Sequence, residues 1–458
     1  MDVLAEHVLL PGFEGLEPPD WVLRRAARGL GGVCVFARNI ESLAQLQRLC
    51  ASLHDANPRL IIAIDEEGGD VTRLEAATGS SYPGNLALGA AGDVDLTRRV
   101  GRSIGLELAH AGIDLDLAPV ADVNSNPANP IIGVRSFGSE PEAVANQTAA
   151  WVEGLQSAGV GACAKHFPGH GDTSVDSHVG LPVVGADPRD GALAPFDAAI
   201  AAGVRAVMSG HIVAPELDSE VATASHAVMT ELLRDGLGFT GLAVSDGLEM
   251  SALAGRDGVE EGAVRAMAAG CDLLCVGGGL SDEATVAGLA RALARAVPAD
   301  RLAQAAARID EFAAWRAARP GPSERPNRAT GLEAARRAIR VEGDIRIRDG
   351  ATVIKLDPEP SIAAGVIPWG VEAALRDRGV RVQHESFGDD QSLVITVRDL
   401  HRHAWQAEEV AKLLARRPDA IVVEMGAPYC RPNGARNYIA TYGAARVCAV
   451  AAAEAMRA

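Results

Sequence analysis

Seven short apolar runs recur through the first part of this chain, mostly continuous rather than alternating: residues 32–36, 60–65, 113–119, 161–167, 206–212, 241–246 and 271–277. A strand with one wet face alternates apolar and polar residues. A strand buried on both faces does not, and such strands belong to parallel sheets covered by helices. Stretches of helical period lie between the runs, at 43–53, 95–111, 142–158, 192–202, 228–237 and 258–269. Repeated strand–helix units of this kind predict an α/β fold, a (β/α)8-like TIM barrel.

The chain has 458 residues, more than one barrel needs. An Ala/Arg-rich helical stretch, 281–319, breaks near Pro298. It leads into Arg319-Pro320-Gly321-Pro322-Ser323-Glu324-Arg325-Pro326-Asn327, whose prolines and glycine read as a linker. The expected organisation is a catalytic barrel domain over 1–318, a Pro-rich linker over 319–330 and a smaller accessory α/β sandwich domain over 331–458. Within the last, strands are expected at 352–356, 381–385, 392–397, 420–425 and 445–449, and helices at 370–378 and 405–416.

Charge narrows the partners. With 60 acidic and 43 basic side chains the net charge is −17, which repels phosphate backbones, so no nucleic-acid partner is expected. No apolar run approaches the roughly 18 residues of a spanning helix, and no membrane partner is expected. The opening Met1-Asp2-Val3-Leu4-Ala5-Glu6-His7 has no basic segment followed by an apolar one, so a secretory signal is not expected. Seven cysteines, an odd number lying partly in apolar runs, read as reduced thiols of a cytoplasmic protein. The sequence does not address the oligomeric state.

Catalytic groups of barrels sit where strands end. The runs here end in Asp65-Glu66-Glu67-Gly68-Gly69, with Arg73 beyond; in Pro119-Val120-Ala121-Asp122, leading to Arg135; in Lys165-His166-Phe167-Pro168-Gly169-His170, leading to Asp176 and His178; in Ser209-Gly210-His211; and in Ser245-Asp246. Each has a plainer reading. Asp246 could cap the next helix, Lys165 and His166 could be a surface pair, and a loop histidine such as His178 is often only solvated. Delivery of a charged or imidazole group by nearly every strand to one rim favours a site. His166 and His170 have the spacing of a helical zinc pair, but Pro168 and Gly169 lie between them, so no metal is expected. Gly277-Gly278-Gly279 lacks the Lys and Ser/Thr of a phosphate loop, and His401 and His403 read as surface histidines.

Together these residues resemble the bacterial β-N-acetylglucosaminidases (β-hexosaminidases) of glycoside hydrolase family 3, of the two-domain type. The resemblance runs from Leu9 to about Arg319. Its motifs are Ile64–Gly69, Ala118–Asn124, Arg135–Gly138 and, most specifically, Lys165–His178. It implies that Asp246 is the nucleophile, His178 the acid/base and Asp176 its partner, with Asp65, Arg73, Arg135, Lys165 and His166 binding sugar. Asp70 stands where many relatives carry Arg, and Gly247 where many carry a second Asp. The expected activity is that of a retaining exo-β-N-acetylglucosaminidase. It would release terminal β-linked N-acetylglucosamine from small glycans, muropeptides or chitooligosaccharides, through a covalent glycosyl-enzyme. No cofactor is expected. Phosphorolysis on the same scaffold is the alternative, because neutral imidazole, unlike a carboxylate base, does not repel phosphate. A metal-dependent barrel hydrolase and a non-catalytic sugar-binding protein are the remaining readings.

Overall fold

Ile61–Ile64 reads Ile-Ile-Ala-Ile and is buried at every position, which requires cover on both faces. The computed structural model describes the chain apart from residues 1, 178–179, 254–257, 278–281, 320, 348–349, 385–390 and 458. Among the described residues the first domain has eight parallel strands: β1 (Leu9–Pro11), β2 (Gly32–Val35), β3 (Ile61–Ile64), β4 (Leu115–Asp116), β5 (Gly161–Phe167), β6 (Ala206–Ser209), β7 (Leu242–Val244) and β8 (Leu274–Val276). β2 to β7 form one ladder in chain order. β8 pairs with β1 in parallel, Leu274 beside Leu9, and a bridge from Val244 to Leu273 joins β7 to the start of β8. β1 lies tightly against β2: a Cβ on Gly32 would stand 2.6 Å from a methyl of Leu10. The sheet thus curls into the barrel that the strand–helix repeat predicts. β1 is absent from the seven predicted runs. It is three residues long, and β8, not its own pattern, sets its register.

Local signals place the outer helices. α1 (Leu43–Ala56) starts at Ser42, whose hydroxyl oxygen accepts the Gln45 N–H at 3.2 Å. α2 (Val94–Ala111) starts at Asp93, whose carboxylate accepts the Leu96 N–H, and stops at Gly112 with φ +87. α3 (Pro141–Ser157) has proline in its first turn. The helical stretch after the barrel is broken at Pro298 as predicted, into α4 (Glu283–Ala296) and α5 (Ala299–Ala317). The stretch predicted as a helix at 228–237 is helical but π-wound, over Ala227–Gly236.

Beyond the irregular segment after α5, helix α6 (Ala329–Ala338) packs on α2 of the barrel and on the C-terminal helix of the chain. The second sheet comprises β9 (Arg340–Glu342), β10 (Ala351–Lys355), β11 (Val382–Gln383), β12 (Ser392–Val397), β13 (Ile421–Glu424) and β14 (Asn437–Ala440). Their order is β9-β14-β13-β12-β10-β11, parallel except for β9 with β14. Alternate residues enter two cores. Val394, Val423 and Ile439 pack with Ala449 and Ala452 of α8 (Arg446–Ala455). Leu393, Ile395 and Val422 pack with Val410 and Leu413 of α7 (Ala404–Arg416). This is the expected α/β sandwich, with one strand misplaced. Of residues 445–449, Ala445 caps α8 and the rest lie in it, where an alanine-rich run follows its helical propensity, and the sheet position is taken by β14. Of the run predicted at 381–385, Val382–Gln383 is strand, and Glu385 lies outside the described residues.

The two bodies meet backbone to backbone. A Cβ on Gly331 would stand 1.9 Å from the Ser81 carbonyl oxygen, and one on Gly443 2.8 Å from that of Pro83. Arg446 donates to the Ser81 hydroxyl at 2.6 Å, and Asn124 to the Tyr429 hydroxyl at 2.8 Å. The Asp70 departure from the family pattern has its partner here. Its carboxylate meets the Arg398 guanidinium and accepts the Ala444 N–H at 2.9 Å.

Candidate active site

Strand ends place the charged groups. Asp65 and Glu67 follow β3, Lys165 and His166 are late residues of β5, and Asp246 follows β7 by two residues. Lys165 is 2% exposed, which an ammonium tolerates only with paired charge. Its Nζ stands 2.7 Å from Asp65 Oδ1 and 2.8 Å from Glu67 Oε1. Arg135 grips the same Glu67 with two prongs, Nη2 at 2.7 Å from Oε1 and Nε at 2.9 Å from Oε2. Burial alone would raise the Glu67 carboxyl. The Arg135 and Lys165 cations outweigh it and hold Glu67 well below the usual carboxylate range. Burial would likewise lower Lys165, but Asp65 and Glu67 hold it above its ordinary value. Glu67, Arg135 and Lys165 are therefore charged at neutral pH. Arg73 stands 3.7 Å from Asp65 and donates to the carbonyl of Ala363, in the second domain, at 3.3 Å.

His166 is oriented from behind. Asp122, buried after β4, stands 2.7 Å from His166 Nδ1, and its other oxygen accepts the His166 and His170 backbone N–H groups at 3.2 and 2.7 Å. A carboxylate on Nδ1 places the proton there and leaves Nε2 for a ligand. The His166 and His170 rings are 6.0 Å apart and nearly perpendicular. Both nitrogens of His170 face hydroxyls, Thr173 at 2.7 Å and Ser177 at 3.3 Å, and burial lowers its pKa to about 4, so it is neutral. Among the described residues no three His, Cys, Asp or Glu side chains are grouped to hold a metal.

These groups share one cavity of about 450 Å³. Asp65, Arg73, Arg135, Lys165, His166 and Asp246 all line it. Asp246 Oδ1 accepts the Gly247 N–H at 2.8 Å, and a Cβ on Gly247 would stand 3.2 Å from the Glu249 carboxylate oxygens. Part of the wall belongs to the second domain: residues 362–366, in the loop after β10, with Ile362 60% and Val366 87% exposed. Asp176 lines an adjoining cavity of about 290 Å³ in the interdomain seam. That cavity shares Ile131, Ile132, Arg135 and Ile362 with the first. His178 lies outside the described residues. The structure thus gathers six of the eight sequence-selected residues and sets Asp176 next door. Sequence reasoning passed over Glu67 and Asp122, although both lie inside the motifs it used, and it found no signal for the 362–366 loop.

A barrel with its buried charges collected at the carboxyl ends of its strands has the layout of an enzyme. Residues 23–312 match the glycosyl hydrolase family 3 N-terminal domain, and the chain belongs to that family. It is 33% identical over 385 residues to beta-hexosaminidase A of Pseudoalteromonas piscicida, a match covering 74% of this chain and 64% of that protein, so it spans less than two thirds of that relative's length. A glycoside hydrolase family 3 beta-N-acetylglucosaminidase from Paenibacillus sp. str. FPU-7 superposes with a TM-score of 0.89 at 32% identity, covering 100% of this chain and 96% of that one. NagZ from Neisseria gonorrhoeae, in complex with N-trifluoroacetyl-D-glucosamine, superposes with a TM-score of 0.55 at 32% identity over 67% of this chain and 97% of that one.

Proposed function

We propose that the chain is a retaining exo-β-N-acetylglucosaminidase acting on small glycans with a terminal β-linked N-acetylglucosamine, muropeptides or chitooligosaccharides. The observation that carries this reading is the single cavity lined by Asp65, Arg73, Arg135, Lys165, His166 and Asp246. The names of the similar proteins support it. The Asp65–Lys165–Glu67–Arg135 web presents fixed donors and acceptors to sugar hydroxyls, and His166 offers Nε2.

In the proposed reaction Asp246 attacks the anomeric carbon as the bond to the leaving oxygen breaks. His178 gives that oxygen its proton. Asp176 holds the imidazole and stabilises its cation. Neutral His178 then takes a proton from water, which attacks the same carbon and frees Asp246, so configuration is retained. The protein is proposed to act in the cytoplasm, a placement supported by seven free cysteines. Among the described residues no helix is long and apolar enough to cross a membrane.

A chromogenic β-N-acetylglucosaminide assayed with and without phosphate tests the reading. Release of free N-acetylglucosamine at a rate independent of phosphate is expected, whereas sugar 1-phosphate would mean phosphorolysis. A 5-fluoro sugar should label Asp246. Labelling of another residue would overturn its role.

A further inference from the structure

The seam cavity beside Asp176 occupies a particular place in the second sheet. The chain leaves β10 for β11 on one side and leaves β12 for β13 on the other. An open parallel sheet of this order has its crevice between the carboxyl ends of β10 and β12, where such folds take their ligands. Residues 358–362 after β10, and 398, 399, 402 and 403 after β12, line the cavity there, and residues 130–135 of the barrel form its other wall. The crevice opens onto the sugar cavity, since Ile131, Ile132, Arg135 and Ile362 line both. Arg402 carries the path outward: it also lines a further hollow of about 600 Å³ with Pro127, Ala128, His401 and Tyr429.

Two aromatic rings stand in that hollow. Tyr429 and His401 meet edge to face, their centroids 5.0 Å apart. The barrel fixes both: the Asn124 amide donates to the Tyr429 hydroxyl at 2.8 Å, and His401 Nε2 donates to the Pro127 carbonyl at 2.8 Å. Rings held in this way lose little freedom when a ligand arrives, and Tyr429 is still 38% exposed. A tyrosine offers an apolar face to the C–H side of a sugar and a polar tip to its hydroxyls. Charge narrows the ligand. Among the described residues four carboxylates, Asp70, Asp176, Glu359 and Asp399, line the crevice against three guanidinium groups. Two of those cations are already paired, Arg398 with Asp70 and Arg135 with Glu67. Such a wall accepts hydroxyl and amide donors and disfavours an anion.

We propose that the seam from the sugar cavity to the Tyr429–His401 pair holds the reducing-side sugars of the substrate, one in the crevice and one on the rings, and that these sugars are uncharged. Oligosaccharides of three or more neutral units are then the preferred class. The inference rests on the glycosidase reading above, with the terminal sugar at Asp246.

The test measures the full chain on chitobiose and chitotriose. kcat/KM should be about 10-fold higher for chitotriose, the worth of one further ring contact. Tyr429→Ser should bring that ratio near one, whereas Tyr429→Phe, which keeps the ring and loses the Asn124 bond, should preserve it. A ratio near one in the parent, or an equal loss on both substrates in Tyr429→Ser, would overturn the outer subsite and leave the rings as a clasp between the domains. A disaccharide whose reducing-side sugar carries a lactyl peptide should be cleaved at least about 10-fold less efficiently than chitobiose at low salt, and the gap should narrow as salt screens the carboxylates. Equal or better cleavage would overturn the uncharged class. Binding separates the subsites from the reaction. In the Asp246→Ala chain, calorimetry should show chitotriose bound about 10-fold more tightly than chitobiose, and adding Tyr429→Ser should remove the difference. A chain that binds in this way yet cleaves no glucosaminide would support the seam subsites and refute the reaction. Cleavage of the chromogenic substrate without that difference would support the reaction and refute the subsites.

Discussion

Arg398, the residue after β12, and Asp70 of the barrel, 328 residues apart in the chain, close a buried ion pair, Asp70 4% and Arg398 9% exposed. Burial raises the Asp70 carboxyl despite the guanidinium and the Ala444 N–H, whereas Asp70 outweighs burial and raises Arg398. Without Arg398 the Asp70 carboxyl would be buried with no cation beside it. Arg398→Met should therefore cost about 3 kcal/mol or more, because it strands a buried carboxylate. Arg398→Met with Asp70→Asn should recover most of that. Denaturant unfolding of the two variants checks this, and strictly additive losses would contradict it.

Burial raises Glu66 from an ordinary value near 4.5 to about 7, against the Arg73 and Leu74 N–H groups that its carboxylate accepts at 2.8 and 2.9 Å. A carboxyl raised in the folded state favours folding fully below its unfolded value, and that contribution fades as pH climbs through its folded value. The contribution lost between about pH 4.5 and 7 is on the order of 3 kcal/mol. Glu66→Gln keeps an acceptor for both N–H groups and does not titrate. Its stability relative to the parent should rise across that window, and parallel stability–pH curves would rule this out.

His178→Ala should slow the two proposed steps unequally. With a good leaving group, glycosylation needs little acid help, while deglycosylation should fall by about 10²–10⁴. A burst of leaving group should appear, and azide should restore turnover. Asp176→Ala should behave as a milder copy. Absence of both burst and rescue would remove His178 from the acid/base role.

Ile362 and Val366 expose apolar surface to the cavity mouth. If a bound leaving group covers part of it, each contributes about 1 kcal/mol. The Ile362→Ser/Val366→Ser variant should lose roughly 10-fold or more in kcat/KM on chitobiose, with inhibition by free N-acetylglucosamine unchanged. Equal losses in both measurements would place the effect elsewhere.

Seven barrel strands are legible in the sequence, most of them because burial on both faces leaves a continuous apolar run. β1 is not, because three residues carry no period and its partner β8 lies more than 260 residues away. The same limit applies in the second sheet. β14 begins with Asn437, whose side-chain oxygen accepts the Asp344 N–H, and a polar start hides a strand. In the site, charge at strand ends marked Asp65, Lys165, His166 and Asp246 directly. Glu67 and Asp122 were passed over because they act through neighbours: one gathers cations and the other turns a ring. Neither job shows in residue type. The 362–366 wall depends on how two bodies dock, which no local pattern encodes.

The seam between those bodies is built from missing side chains. Where Gly331 meets Ser81 and Gly443 meets Pro83, there is no room for a methyl group. Ordinary interfaces drift by trading a large residue on one side for a small one on the other. This one has nothing to trade at its tightest points. A domain exchange that kept every polar contact but placed alanine at either glycine would force the bodies apart. It would open the sugar cavity on the side where the loop at 362–366 forms its wall. The breadth of substrates such a chimera accepts would then be governed by two positions that touch no substrate at all.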